Sequence, residues 1–406
     1  MNIKIFSGKP KGTVLAPPSK SQAHRFLIAA ALAKGESIIS NIAQSRDILA
    51  TAECLCSLGA KITFLGNTAL VQGCGGCPRP LSPLPCDESG STLRFLLPLS
   101  LLSGEQARLS GSPRLIERGV GIYQEVFAKN NTHFFITPNQ ISIEGKLTPG
   151  DYSIFGGVSS QFVSGLLFAL PLLEGDSTVS VLPPVESRSY IDMTLYALAQ
   201  FGVKITETAE NTFFIQGNQT YLPKQVSVEG DWSNAAFLLA LGEIHGNVAV
   251  QGLAEDTLQG DAVFSELLLK LKEKNAQIDL SNCPDLAPIL FAMSAFLGNG
   301  ATFTGTKRLQ IKESDRSKAM QEELSKMGCI IEIGENSVTV PPATLTAPTE
   351  PLCGHGDHRI VMSLAILLTV FGGEIIGAEA VSKSYPDFFE VLKNLGIEVQ
   401  DVTTEH

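Results

Sequence analysis

No continuous apolar run in this chain reaches the roughly 18 residues that a membrane-spanning helix needs, and residues 1–11 offer no apolar core of the kind a secretory leader carries. A soluble, cytoplasmic protein is therefore expected. Positive charge is also short: 30 Lys and Arg face 41 Asp and Glu, a formal net charge of −11. That balance argues against a general nucleic-acid or anionic-membrane surface, so any anion site has to be local. Aromatic residues make up 7% of the chain, with one Trp, which argues against stacking on bases. The eight cysteines include a single Cys-x-x-Cys, Cys74-Gly75-Gly76-Cys77. It lacks a second pair or a neighbouring His, so it reads as reduced, structural thiols rather than a zinc site. Of the six histidines only His355 and His358 have metal-ligand spacing, at a glycine-rich helix start with no third ligand expected in reach, so a metal there is the lesser reading. Low-complexity segments are absent.

What the chain does have is a repeat. Six strongly apolar helices are predicted to start near Ser19, Ser89, Ser159, Ser233, Asp285 and Asp357 and to stop at or near a glycine. They carry almost no charge after the first turn, as in 162–173 and 360–371, so protein should surround them on most sides. Between them runs an amphipathic series whose members end in Gly59-Ala60-Lys61-Ile62, Gly202-Val203-Lys204-Ile205, Gly328-Cys329-Ile330-Ile331 and Gly396-Ile397-Glu398-Val399. Asn130 and Asn275 stand as weaker forms of the same cap. The spacing is roughly 70 residues and is read as shorter between the fifth and sixth copies.

A length of 406 residues with 44% apolar content suits two domains. Pro17-Pro18 bars helix and enforces an extended crossing, and Glu229-Gly230-Asp231 is its counterpart between the third and fourth copies. Hinges near 16–18 and 229–231 give one domain of 1–16 plus 231–406 and another of 17–230, three copies in each, with the active site expected between them. The proline-rich stretches 78–85 and 340–351 read as surface connections.

The helix starts hold the chemistry. A helix N-terminus presents free N–H groups and a positive dipole end, and a cation in the same turn makes it an anion site. Pro17-Pro18-Ser19-Lys20-Ser21 is one, because Lys20 opposes the dipole and is badly placed for stability alone; Arg25 shares the face of Ser21. Capping by a serine with snorkelling cations is the alternative. Glu88-Ser89-Gly90 and Ser159-Ser160-Gln161 are further starts, each also explicable as turn and cap chemistry. Pro113-Arg114, Ser187-Arg188-Ser189-Tyr190, Lys312-Glu313-Ser314-Asp315-Arg316 and Lys383-Ser384-Tyr385-Pro386 place cations or hydroxyls in first turns of the second series. Lys312 and Arg316, four apart, would repel unless an anion sat between them, although a solvated charged face would look the same. Asp285, after Cys283-Pro284, is either an N-cap or an acid–base group, and Glu313 is a second carboxylate able to move protons.

Together, Lys20-Ser21 with Arg25, Gly90 with Arg94, Pro113-Arg114, Ser159-Ser160-Gln161, Lys312-Glu313-Ser314-Asp315-Arg316, Asp357-His358-Arg359 and Lys383 closely resemble the 5-enolpyruvylshikimate-3-phosphate synthase (3-phosphoshikimate 1-carboxyvinyltransferase) family, in order from about 9 to 395. The resemblance implies an α/β, two-domain enolpyruvyl transferase fold of six βαβαββ repeats, three per domain, with its active site in the interdomain cleft. It implies transfer of the enolpyruvyl group of phosphoenolpyruvate to the 5-hydroxyl of 3-phosphoshikimate with release of phosphate. This is a step of the shikimate pathway toward chorismate and aromatic amino acids, carried out by a monomer on small-molecule substrates without metal or organic cofactor.

Carried over by motif, Ser21 and Arg25 would hold the shikimate carboxylate and ring and Tyr190 would line it. Ser159, Ser160, Ser187, Arg308 and Lys312 would serve the phosphorylated side of the same substrate. Gln161 would lie between the two substrates and Lys20 would touch both, while Arg114, Arg316, Arg359, Lys383 and the Gly90 backbone would bind phosphoenolpyruvate. Asp285 would take the 5-hydroxyl proton, Glu313 would serve the methyl carbon and Lys20 the departing phosphate. Glu88 and Arg308 stand where the family usually has asparagine, and Arg188-Ser189 where it has Lys-Pro.

A sister enzyme with the same six-unit architecture transfers enolpyruvate to UDP-N-acetylglucosamine. It usually carries a reactive loop cysteine, whereas no cysteine lies between Cys86 and Cys283 here. A non-catalytic polyanion-binding repeat protein is the remaining alternative, against which Asp285 and Glu313 beside the cations argue. Gly90 leaves room for glyphosate, which in this family competes with phosphoenolpyruvate. Steady-state kinetics should show glyphosate inhibition relieved by added phosphoenolpyruvate; an unchanged rate at limiting phosphoenolpyruvate and saturating glyphosate would contradict this.

Overall fold

The computed structural model describes residues 1–403. Contacts divide it into two compact units, Pro18–Glu229 and Met1–Pro17 joined to the segment from Gly230 onward. In Pro18–Glu229 the repeat appears as three four-stranded sheets on one plan. A leading strand pairs parallel with a second, and the second pairs antiparallel with the last strand of a hairpin. In the third copy Asp151–Phe155 runs parallel to Ser177–Leu182, which runs antiparallel to Thr212–Ile215, and Ile205–Ala209 completes the hairpin. The second copy uses Leu84–Pro85, Ala107–Ser110, His133–Thr137 and Gln140–Glu144 likewise. The first combines Glu36–Ser40, Lys61–Leu65 and Thr68–Gln72 with a leading strand, Gln225–Ser227, drawn from the far end of the unit.

Parallel strands cannot be joined by a tight turn, so a helix must carry the chain back across the sheet. Gly90–Ser100 and Ser160–Ala169 take this place; Lys20–Leu32 is their counterpart before Glu36–Ser40 but is entered from Gly12–Leu15, and nearly every residue in all three is buried, which accounts for their scarcity of charge. Their serine caps are those expected: Ser19, Ser89 and Ser159 accept the N–H groups of Gln22, Thr92 and Gln161. The second and third of these helices pack through Gly165. A Cβ there would collide with the Tyr123 hydroxyl and come within 2.5 Å of the Arg94 carbonyl oxygen.

The other unit holds two more sheets of this plan. One contains Ala276–Asp279, Ala301–Thr304, Glu332–Ile333 and Ser337–Val340. The other contains Leu352–Cys353, Gly373–Ile376 and Val399–Asp401, with the N-terminal strand Asn2–Ile5 between the last two. The fourth copy is reduced to Gly12–Leu15 parallel with Val248–Gln251, and no hairpin follows. The short interval therefore lies between the fourth and fifth copies, not the fifth and sixth: 54 residues separate Asp231 from Asp285, against 72 from Asp285 to Asp357. Among the described residues there are five complete βαβαββ copies and one truncated copy.

The fourth buried helix, Trp232–His245, begins within a residue of Ser233 and is capped by Asp231, whose carboxylate accepts the Asn234 N–H at 2.9 Å. Two expectations shift. Asp285 is not a cap; it lies in the 3-10 turn Pro284–Leu286 that leads into Ala287–Leu297. The left-handed asparagine that ends the second copy's amphipathic helix is Asn131 (φ 48°), one residue beyond Asn130. Gly246, Gly298 and Gly372 end the three buried helices of this unit with positive φ, whereas Lys20–Leu32 ends on Ala33 in extended backbone, short of Gly35. No helix among the described residues is long and apolar enough to cross a membrane.

Replacing Gly165 by Ala should destabilise Pro18–Glu229 by about 1–3 kcal/mol, because the neighbours are a backbone carbonyl and a buried ring hydroxyl rather than a flexible tip. Urea denaturation checks it, and an unchanged midpoint would contradict the close packing.

Candidate active site

In the second, third, fifth and sixth copies both helical segments follow strands of the parallel pair, so both begin at the carboxyl edge of that pair. Contacts between the two starts recur at one separation: Lys20 with Asp47, Ser281 with Arg308, Asp285 with Lys312 and Gly356 with Lys383 are each 27 residues apart.

In Pro18–Glu229, Lys20 Nζ lies 2.8 Å from Asp47, in the first turn of Arg46–Ser57, so a second helix supplies the counter-charge that the first one's dipole denies. Arg25 is buried between the rings of Phe95 and Tyr190, at 5.2 and 5.8 Å. Its guanidinium donates to Thr194 Oγ1 and to the carbonyls of Ser21 and Tyr190 at 2.7–2.9 Å, and burial lowers its pKa to about 10. Arg25 thereby links the Ser21 turn to Tyr190. The Gln161 amide joins Arg94 NH1 (2.8 Å) to Ser91 Oγ (3.0 Å), bringing the second and third starts together. Gly90 lies under these groups, where a Cβ would meet Arg118 NH2 at 3.1 Å.

Ser160 and Ser187 are buried. Ser187 precedes helix Arg188–Gln200 in the left-handed region (φ 56°), a conformation a serine rarely adopts. Arg114, part exposed, pairs with Glu117 at 3.0 Å. Arg188 is bound into the fold by Asp192, Glu207 and Asn211.

In the other unit the cations converge on Asp285. Arg316 NH1 reaches its carboxylate at 2.7 Å, and Lys312 Nζ and Arg359 NH2 each reach it at 3.2 Å. The anion required between Lys312 and Arg316 is thus a side chain of the protein, and the solvated-face alternative falls because Arg316 is 1% exposed. Arg316 also meets Glu313 and Asp357, both at 2.9 Å. Arg308 NH2 donates to the Ser281 carbonyl at 2.7 Å, and Lys383 Nζ donates to the Gly356 carbonyl at 2.5 Å.

Burial would raise the Asp285 pKa, but Arg359, Lys312 and Arg316 outweigh it and hold the carboxyl well below its ordinary range. Burial pushes Lys312 down to about 8 in spite of Asp285. Asp261, buried near Asp285, is pushed up to about 6, first by burial and then by the Asp285 charge. Sequence reasoning missed Asp261, Asp47 and the role of Asp357, which caps helix His358–Phe371 while receiving Arg316. The 27-residue offset would have found Asp47 from Lys20. It also missed that His355 approaches Glu322 and Glu323, residues distant in sequence, with donor atoms within 4.8 Å of one another.

A repeated α/β fold whose sheet edges gather lysine, arginine and carboxylate in buried contact defines an enzyme class that handles polyanions. The family model for EPSP synthase (3-phosphoshikimate 1-carboxyvinyltransferase) matches residues 7–392, and the chain belongs to that family. It is 38% identical to the 3-phosphoshikimate 1-carboxyvinyltransferase of Clostridium kluyveri over 98% of both chains. It is 40% identical to the enzyme of that name from Clostridium botulinum strain Eklund 17B over 97% of both. Its fold is that of EPSP synthase from Acinetobacter baumannii (TM-score 0.80, 22% identity, 98% of this chain and 100% of that one). The fold is shared with the enolpyruvyl transferase NikO from Streptomyces tendae (TM-score 0.79, 17% identity, 100% and 99%).

Replacing Arg316 by Met should cost about 3–5 kcal/mol near pH 7, because fully buried Asp357 would lose its partner. Asp357 has a lowered pKa, with Arg316 overcoming burial, so its contribution is present above 3.8 and lost as pH falls through the lowered value. The deficit against the parent should therefore shrink below pH 3.8 in denaturant titrations. A deficit under about 1 kcal/mol at neutral pH would contradict the hub role.

Proposed function

We infer that this chain transfers the enolpyruvyl group of phosphoenolpyruvate to the 5-hydroxyl of 3-phosphoshikimate, releasing phosphate, as a 3-phosphoshikimate 1-carboxyvinyltransferase of the shikimate pathway. The observation that carries the reading is Asp285 held at 2.7–3.2 Å by Lys312, Arg316 and Arg359, a carboxylate set among the cations two polyanionic substrates need. Transfer to a nucleotide sugar is not favoured, since the family match is to EPSP synthase.

The roles of the residues are proposals. Lys20, Arg114, Arg316, Arg359, Lys383 and the Gly90 backbone address phosphoenolpyruvate. Ser21, Arg25, Tyr190, Ser159, Ser160, Ser187, Arg308 and Lys312 address 3-phosphoshikimate, with Gln161 touching both. These sets draw on both units, and we propose that the crossings near 16–18 and 229–231 act as hinges.

As the hydroxyl oxygen bonds to carbon 2, its proton passes to Asp285 and carbon 3 gains a proton from Glu313, which takes that proton up from water once the substrate anions have drawn Arg316 away from it. When phosphate leaves with its electron pair, carbon 3 returns that proton and Lys20 protonates or neutralises the departing oxygen. Asp285 in the free protein is too weak a base for the first step, because three cations stabilise its charge. Substrate phosphates and carboxylates compete for the same cations, and as they are drawn off the Asp285 carboxylate regains basicity where the hydroxyl arrives.

Phosphate release should require phosphoenolpyruvate and 3-phosphoshikimate together and should not occur with UDP-N-acetylglucosamine. Asp285→Ala should lower kcat by more than about tenfold. Release with the nucleotide sugar would overturn the reading, and a variant within about tenfold of the parent would remove Asp285 from the proton step.

A further inference from the structure

Helix Arg316–Ser325 grips the loop before helix His358–Phe371 at two places, two turns apart on one face. At its start Arg316 Nε meets Asp357 at 2.9 Å. Two turns on, Glu323, fully buried, accepts the Cys353 N–H at 2.8 Å and lies 3.0 Å from Lys326 Nζ and 2.7 Å from His355 Nε2. Between these anchors sits Gly356, whose carbonyl receives Lys383, and just beyond them Arg359 reaches Asp285. His355 itself adopts φ 49°, a left-handed backbone that a histidine keeps only when something holds it. Neither Glu323 nor His355 has a part in the chemistry above.

We propose that Glu323 and His355 are positioning residues whose ion pair clamps the 353–357 loop, keeping Lys383, Asp357 and Arg359 aimed at phosphoenolpyruvate, and that the clamp slackens when His355 loses its proton. This rests on the assignment of Lys383 and Arg359 to that substrate.

The groups facing His355 are Glu322, Glu323 and Lys326 on the helix and Cys353 on the strand, whose Sγ accepts the His355 N–H at 3.4 Å. Glu350 lies 3.7 Å beyond, on Lys326. The bond to Glu323 raises the His355 pKa above 6.5 against the effect of burial. A raised histidine contributes fully below pH 6.5, and that contribution is lost as pH climbs through its higher folded value, so the clamp weakens on the alkaline side. Glu322, Glu323 and His355 could in principle ligate a metal, but the Lys326 ammonium, 3.0 Å from Glu323, already supplies the positive charge.

Two conservative variants test the clamp. His355→Asn keeps a residue that tolerates the left-handed backbone, and Glu323→Gln keeps an acceptor for the Cys353 N–H. Each should raise the KM for phosphoenolpyruvate about tenfold near pH 7 while leaving kcat within about twofold. The parent's KM should climb from pH 6.5 to about 9, and that of His355→Asn should stay flat. In the ligand-free protein, amide hydrogen exchange at residues 354–356, which does not depend on the reaction, should be faster in both variants. Parent-like KM values at every pH with parent-like exchange would overturn the proposal. So would a KM that responds to zinc or EDTA, which would make the cluster a metal site. A parent inactive on both substrates would sink the functional reading, and exchange alone would then decide the clamp.

Discussion

The constraint on which the rest depends is the parallel strand pair that opens each repeat. A parallel pair demands a helical crossover, and the helix after each strand must begin at the same edge of the sheet. Four of the six copies then add an antiparallel hairpin, and the sixth pairs Val399–Asp401 with the N-terminal strand Asn2–Ile5 instead, in neither case adding a helix start at that edge. Two first turns, with their free N–H groups, are thus forced side by side in every complete copy. The recurring 27-residue separation between contacting residues is the length of one helix–strand passage measured in the sequence.

At those edges the protein resolves an electrostatic conflict. Cations in first turns oppose the helix dipole, and several of them in one place oppose each other. The structure answers with carboxylates from neighbouring starts, Asp47 for Lys20 and Asp285 and Asp357 for Arg316, joined by Glu313 from the start of Arg316 itself. The same contacts that make the site tolerable without substrate hold Asp285 ionised and weakly basic. With the roles proposed above, stability and catalysis draw on one set of ion pairs. Arg316 is where they meet, because it spans the carboxylate assigned to the proton and the cap of a buried helix.

Much of this was legible in the chain. Serine before an uncharged apolar run located three helix starts to the residue, since cap chemistry and burial are both local signals. The fourth start, read near Ser233, falls one residue earlier, and its cap is Asp231 because only geometry chooses between two competent caps. The shortened interval was a miscount along the chain; what the chain does not show is that the strand beside Val248–Gln251 is Gly12–Leu15 and that no hairpin follows. Within the site, Lys20, Arg316 and Arg359 announced themselves by standing in a helix's first turn, whereas Lys312 and Lys383, read as first-turn cations too, prove to lie at the ends of 3-10 turns. Their partners did not: Glu323 and Asp261 look like ordinary acidic residues until the fold buries them. Asp285 was read as either a cap or an acid–base group, and the structure removes the cap reading.

The central claim is that bound substrate takes over the cations that hold Asp285. The most direct measurement is a 13C NMR titration of the Asp285 carboxyl carbon, assigned by difference against Asp285→Asn, in the free protein and with 3-phosphoshikimate bound. The account predicts titration well below 3.8 in the free protein and a clear upward displacement on loading. An Asp285 carboxyl that titrates at the same pH in both states would contradict it.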